Sequence, residues 1–196
     1  MKNYFIITRN SSKDAFKLKI DYSLEEVPDT LALNRPVPTP RDFLEKFSYV
    51  KAGGQRLEDM LANDMGWEIF SERIASIFAR CKNASEIELF PLPRKVLQLN
   101  PALNGYRVLG IKREIPCLDV EESDLRWGNL PNGGRHVSAI YECILRESAV
   151  PEDVDVFRVA EYPVMTIISS SLAMTIAEYY PTGFVYEVIE AVTHQE

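Results

Sequence analysis

The sequence predicts an α+β fold: a mixed, largely antiparallel sheet with a few packed helices in a single domain. Three observations carry that expectation. Short alternating runs of β-branched and aromatic residues outnumber the helical stripes and do not alternate strictly with them. At 196 residues the chain is long enough to bury one sizeable core. Its 46% hydrophobic and 26% charged content is that of an ordinary globular protein.

The elements follow in order. Tyr4 to Ile7 reads as a first strand, and Phe16, Leu18 and Ile20 alternate in a second. Asn10-Ser11-Ser12 between them is turn chemistry. The stretch from Asn34 to Arg41 carries three prolines, which remove backbone donors and fix φ, so a surface connection is expected there. Gly53-Gly54 is a break before a short helix expected around Leu57 to Leu61. Ser71 and Glu72 open the clearest helix, the serine as cap and the glutamate at the positive end of the dipole. Ile74, Ile77, Phe78 and Cys81 form its apolar stripe and Asn83 ends it.

Ile87 to Pro91 reads as a strand stopped by proline, which Val96 to Leu99 resumes. Tyr106 to Ile111 alternates, and a charged break leads to Ile115 and the triplet Cys117-Leu118-Asp119. In an extended segment Cys117 and Asp119 share a face, so Asp119 is expected to be structural, accepting backbone or arginine hydrogen bonds. Pro131 to Gly134 is a turn, and Val137 to Leu145 is apolar in both phases, as in a strand covered on both faces. Val156 to Val159 is a short strand. Ser169 to Ser171 caps a last helix with the stripe Leu172, Ile176 and Tyr179. Pro181-Thr182-Gly183 stops it, and Phe184 to Val188 closes the chain as a strand. Residues 1–66 are expected to belong to the same domain as a core over 67–190, with 191–196 a tail.

Charge and composition narrow the function. Net charge is −7, and residues 114–196 hold 4 Lys+Arg against 15 Asp+Glu, with no cation after Arg158. That balance disfavours nucleic acid and favours a basic protein partner. No stretch is long and apolar enough for a membrane span and no secretory signal opens the chain, so a cytoplasmic protein is expected. Cys81, Cys117 and Cys143 are odd in number and widely spaced, which argues against disulfides and paired-cysteine zinc. No cofactor motif or metal-ligand spacing is present. A nucleophile, base and orienter can be drawn from Cys143 or Cys117, His136 and Asp119, but His136 follows a glycine turn and reads as a loop residue. The acidic runs around Asp119 and Asp153 lack the spacing of a calcium loop and read as solvated surface. Trp67 and Trp127 read first as packing residues.

The order of motifs adds a resemblance. Ser71-Glu72, Glu86 to Pro91, Tyr106 to Leu109, Cys117-Leu118-Asp119-Val120-Glu121-Glu122-Ser123, Val156-Phe157-Arg158, Ser169 to Ser171 and Thr182 to Val188 stand in the order of a known family. Over roughly Trp67 to Val188 the chain resembles the eleventh immunity-protein family of bacterial polymorphic toxin systems. The resemblance implies a non-enzymatic antitoxin that binds a toxin and blocks its active site. An acidic rim of Glu121, Glu122, Asp124, Glu152, Asp153 and Asp155 is then expected to face the toxin, with Trp127 as an anchor. Two rival readings stand beside it: a small-molecule or regulatory module of a toxin locus, and a hydrolase using Asp119 with Glu121 or His136.

Overall fold

The computed structural model describes residues 3–21, 45, 47–130 and 133–192. The proline-rich stretch Asn34 to Arg41, Pro131-Asn132 and the end of the tail lie outside them. Strands β1 (Tyr4–Arg9), β2 (Lys17–Ile20), β3 (Tyr49–Gly53), β4 (Ala62–Asn63) and β5 (Ile69–Phe70) precede helix α1 (Glu72–Phe78). Next come β6 (Ile87–Pro91), helix α2 (Arg94–Leu99), β7 (Arg107–Ile111), β8 (Glu114–Ile115) and β9 (Asp124–Asn129). β10 (Arg135–Glu142), β11 (Ile144–Arg146), β12 (Val156–Val159), β13 (Tyr162–Ser169), helix α3 (Ser170–Ala177) and β14 (Phe184–Val192) complete the order. The class is α+β, as the alternating runs imply.

Six strands pair in the order β11-β14-β1-β13-β12-β8. β1, β13, β14 and β12 meet antiparallel, while β8 on β12 and β11 on β14 are parallel. The two ends of this order meet. Immediately after β8, Leu118 bridges Leu145 of β11, the Asp119 N–H donates to the Ile144 carbonyl at 2.8 Å, and the Arg146 N–H donates to the Cys117 carbonyl at 2.8 Å. The extended segment 114–119 thus pairs with β12 through its start and β11 through its end, and the strands form a closed ring.

Alternation sends neighbouring side chains to opposite faces. Tyr4, Ile115, Cys117, Leu145, Phe157, Val159, Ile167 and Ile189 gather in one cluster. The intervening residues Ile7, Val156, Ile168 and Phe184 face a second cluster built by α1 and α3, with Ile74, Phe78, Leu172 and Ile176. A third cluster, under the sheets β3-β2-β4 and β5-β7-β6, holds Phe16, Leu18, Phe47, Tyr49, Trp67 and Val96. Trp67 packs edge-on to Phe47 and Tyr49.

Several elements differ from the sequence expectation. Residues 57–61 form no helix: Met60 and Leu61 donate to the Thr182 and Ile69 carbonyls, which holds the segment extended. Residues 96–99 are helical, belonging to α2, which turns Val96 into the third cluster. β10 is not covered on both faces; among the described residues it pairs only with β9, and Val137 alone of its residues is buried. β13, unread in the sequence, runs without a turn into α3. α1 ends at Phe78, and Cys81 is buried in the turn beyond it. Ser71 precedes α1 but makes no cap; its hydroxyl donates to Asp59 Oδ1 at 2.7 Å. Ser169 does cap α3, accepting from the Leu172 N–H at 3.2 Å. Tyr179 lies past the end of α3 and is exposed.

Candidate partner-binding surface

Asp119 sits at the seam of the ring. It is only 5% exposed, and its carboxylate accepts from the Glu121 and Glu122 N–H groups at 3.2 Å each. Its carbonyl accepts from the Ser123 N–H at 3.0 Å. The Ser123 hydroxyl in turn bonds both the N–H and the carbonyl of Ile144, at 3.0 and 3.2 Å. This is an Asx-type turn, in which a short carboxylate replaces a backbone acceptor. It fixes the tight bend and leaves Glu121 and Glu122 exposed.

Asp124 begins β9 and is exposed, and the same hairpin carries Trp127, 42% exposed. The Arg135 guanidinium lies 4.9 Å from the centre of the Trp127 ring, a cation–π contact that restrains the indole at the surface. Glu152 and Asp153 are exposed too, but on the loop that follows β11, whereas the 119–123 turn is bonded to its first residue, Ile144. The two acidic groups therefore leave from opposite ends of that strand.

Asp155 does not join the rim. It is 5% exposed and accepts from the hydroxyls of Ser169 at 2.6 Å and Ser171 at 3.0 Å and from the Lys82 N–H at 2.9 Å. The Lys82 ammonium is 3.6 Å away. Burial pushes the Asp155 carboxyl up, but these hydrogen bonds and the lysine charge outweigh it and hold it below the usual range. Glu152 and Asp153 just before it are solvated, whereas its own partners lie on α3 and beside α1. Asp155 is a tie between elements.

Of the groups in the hydrolase reading, Asp119 and Glu121 line one cavity of about 390 Å³ with Arg146 and Glu161, but His136 does not join them. His136 pairs opposite Gly128 in the hairpin, its ring where a Cβ on that glycine would stand, 2.6 Å from Cε1. His136 and Glu142 stand six positions apart along the strand, roughly 20 Å of extended chain leading back toward Asp119. The Asp119 carboxylate is committed to its own turn. Burial, with the Glu161 carboxylate adding to it, pushes the Cys117 and Cys143 thiols up to about 12, the reverse of an activated nucleophile. Among the described residues no group of His, Cys, Asp and Glu is arranged to hold a metal ion, and no helix is long and apolar enough to cross a membrane.

The family model described as Immunity protein family (Imm11) matches residues 12–191. The chain belongs to the Imm11 immunity-protein family. The match reaches well beyond the Trp67 to Val188 stretch that carries the sequence resemblance, so β2 to β4 belong to the Imm11 region as well. No curated protein matches the chain. Against this Imm11 background, sequence reasoning passed over one surface. Glu142, Glu187 and Glu190 line a cavity of about 450 Å³ beside β14, together with Tyr141 and Val188. The only sequence signal for it is the pair of glutamates in the closing strand.

Proposed function

We propose that this Imm11 protein is an antitoxin of a polymorphic toxin system, which acts in the cytoplasm by binding its cognate toxin and occluding it. The observation that carries the reading is the family match across residues 12–191. Mechanism is then surface complementarity without chemistry of its own. Glu121, Glu122 and Asp124 at the seam turn, with Glu152 and Asp153 beyond β11, draw a basic toxin surface toward the protein. Trp127, held in place by Arg135, serves as an aromatic anchor once contact is made. The buried, unactivated thiols, the place of His136 in the hairpin and the commitment of the Asp119 carboxylate to its own turn support binding over hydrolysis.

The test is growth rescue. The toxin encoded beside this protein is expressed alone and with it, and the purified pair is titrated by calorimetry. Rescue with a saturable complex is expected. A folded protein that neither rescues growth nor binds the toxin overturns the reading, and toxin that is chemically altered after rescue points instead to an enzyme.

A further inference from the structure

The chain divides at Cys143. Residues Ile144–Arg146 run parallel to β14, paired with Glu190–Val192, whereas Arg135–Glu142 peel away to pair with β9. β14 is nine residues long, and β1 covers Phe184–Ile189 on one side. On the other side β11 reaches only the last three residues, so among the described residues no strand pairs with Phe184–Ile189 there. A strand unpaired on one side presents alternate N–H and C=O groups to any extended chain that approaches.

The space beside this edge is the cavity of about 450 Å³ between residues 140–144 and 187–190. Ile6, Ile140, Met165 and Ile189 contribute apolar wall to it. Val188 and Tyr141, which also line it, are 69% and 68% exposed, although both are large side chains with much to gain from burial. Glu142, Glu187 and Glu190 supply three exposed carboxylates, and among the described residues no Lys or Arg lines the cavity and none of the three has an ion-pair partner.

We propose that this edge is where the toxin docks: an extended cationic segment of the toxin adds as a strand to β14 at Val185–Ile189. Alternation puts Glu187 on the face opposite Val188, so an apolar side chain of the segment covers Val188 on one face while lysines or arginines meet Glu187 on the other, with Glu142 and Glu190 adding negative charge where β11 begins. The partner's identity rests on the antitoxin reading above, but the chemistry of the surface does not. An anionic segment would leave three carboxylates facing like charge. A second copy of this chain, adding edge to edge, would set Glu187 and Glu190 against their own counterparts, so the same residues that invite a basic strand discourage self-pairing.

Two measurements decide it. In the first, amide shifts of the isotope-labelled protein are followed against a short synthetic peptide of alternating valine and lysine. Controls are its valine–glutamate counterpart and a backbone N-methylated version of the cationic peptide. Shifts confined to 185–189 and 140–144, seen with the cationic peptide alone, are expected. Glu187→Lys with Glu190→Lys should weaken that binding about tenfold or more with the melting curve unchanged. No binding, binding elsewhere, or equal binding of the N-methylated peptide overturns strand addition. In the second, hydrogen exchange is compared for free protein and toxin complex, with slowed exchange at 185–189 expected. A toxin that binds while those amides exchange as before overturns the docking edge and leaves the antitoxin reading intact. A toxin that does not bind at all overturns the antitoxin reading, and the peptide measurement then judges the surface by itself.

Discussion

The carboxylate of Asp59 holds Thr182 twice, accepting from its N–H at 2.9 Å and its hydroxyl at 3.0 Å. The backbone completes the contact, since the Asp59 N–H donates to Thr182 Oγ1 at 3.0 Å and Met60 donates to the Thr182 carbonyl at 3.1 Å. Ser71 and Arg73, at the start of α1, donate to the same carboxylate, and Arg73 also reaches the Tyr179 carbonyl at 2.9 Å. One buried side chain thus joins the entry to α1 with the turn that feeds β14. Gly183 completes the joint: its φ is +89°, and a Cβ there would lie 2.6 Å from the Met60 carbonyl oxygen.

Asp59→Ala should strand these donors and lower unfolding free energy by about 2–3 kcal/mol, read by urea denaturation. Burial pushes the Asp59 carboxyl up, but Arg73, Ser71 and Thr182 together hold it below its ordinary range. A depressed carboxyl contributes stability that is complete above its unfolded value and is lost as pH falls through its folded value. Stability should therefore fall on acidification below the ordinary carboxyl range, and Asp59→Asn should flatten that part of the profile. An identical acid limb in Asp59→Asn would assign the loss to other carboxylates.

Asp119→Ala should cost about 1–3 kcal/mol, because the Glu121 and Glu122 N–H groups lose their acceptor at the ring seam. Asp119→Asn keeps an acceptor oxygen and should cost less. Full stability in the alanine variant, with toxin binding lost, would make Asp119 a contact residue.

Cys117 and Cys143, with thiols near 12, should resist iodoacetamide at neutral pH in the folded protein and react on unfolding. Cys117→Ser, Cys143→Ser and His136→Ala should each still protect cells wherever the variant folds. Loss of protection in folded His136→Ala with toxin binding retained would revive the hydrolase reading.

Neutralising Glu121, Glu122 and Asp124 should slow association with the toxin, and more so at low salt, while leaving dissociation almost unchanged. Trp127→Ala should act on dissociation instead, at a cost of roughly 2 kcal/mol. Stopped-flow kinetics across a salt series separates the two. An on-rate indifferent to salt and charge would remove the seam turn from the encounter surface.

What was legible in the sequence is what neighbouring residues decide. Ile74, Ile77 and Phe78 declare α1 by spacing alone, and Phe16, Leu18 and Ile20 declare the strand around β2. Ser169 announces the start of α3 because its acceptor role is local. Elements that depend on distant chain were hidden. Residues 57–61 stay extended because Thr182 and Ile69 accept their donors. Asp155 resembles the solvated Glu152 and Asp153 until Lys82, Ser169 and Ser171 are brought to it. The Asp119 turn was readable, since its donors lie two and three residues on, but that it closes a ring required Leu145. The glutamates of β14 gain meaning only once the pairing of β11 stops at Glu190.

The position of β1 sets an order on folding. Its residues Tyr4–Arg9 lie between β13 and β14, so a strand made early is paired on both sides by strands made more than 150 residues later. Contacts of such long sequence separation carry a large loop-closure cost and form late. During synthesis β1 stays exposed and unpaired until residues 162–192 have emerged, a state open to misassociation. On the antitoxin reading, protection would lag translation by the time needed to close the ring, and a chain cut short before β14 would give none, however much of the acidic surface it carries.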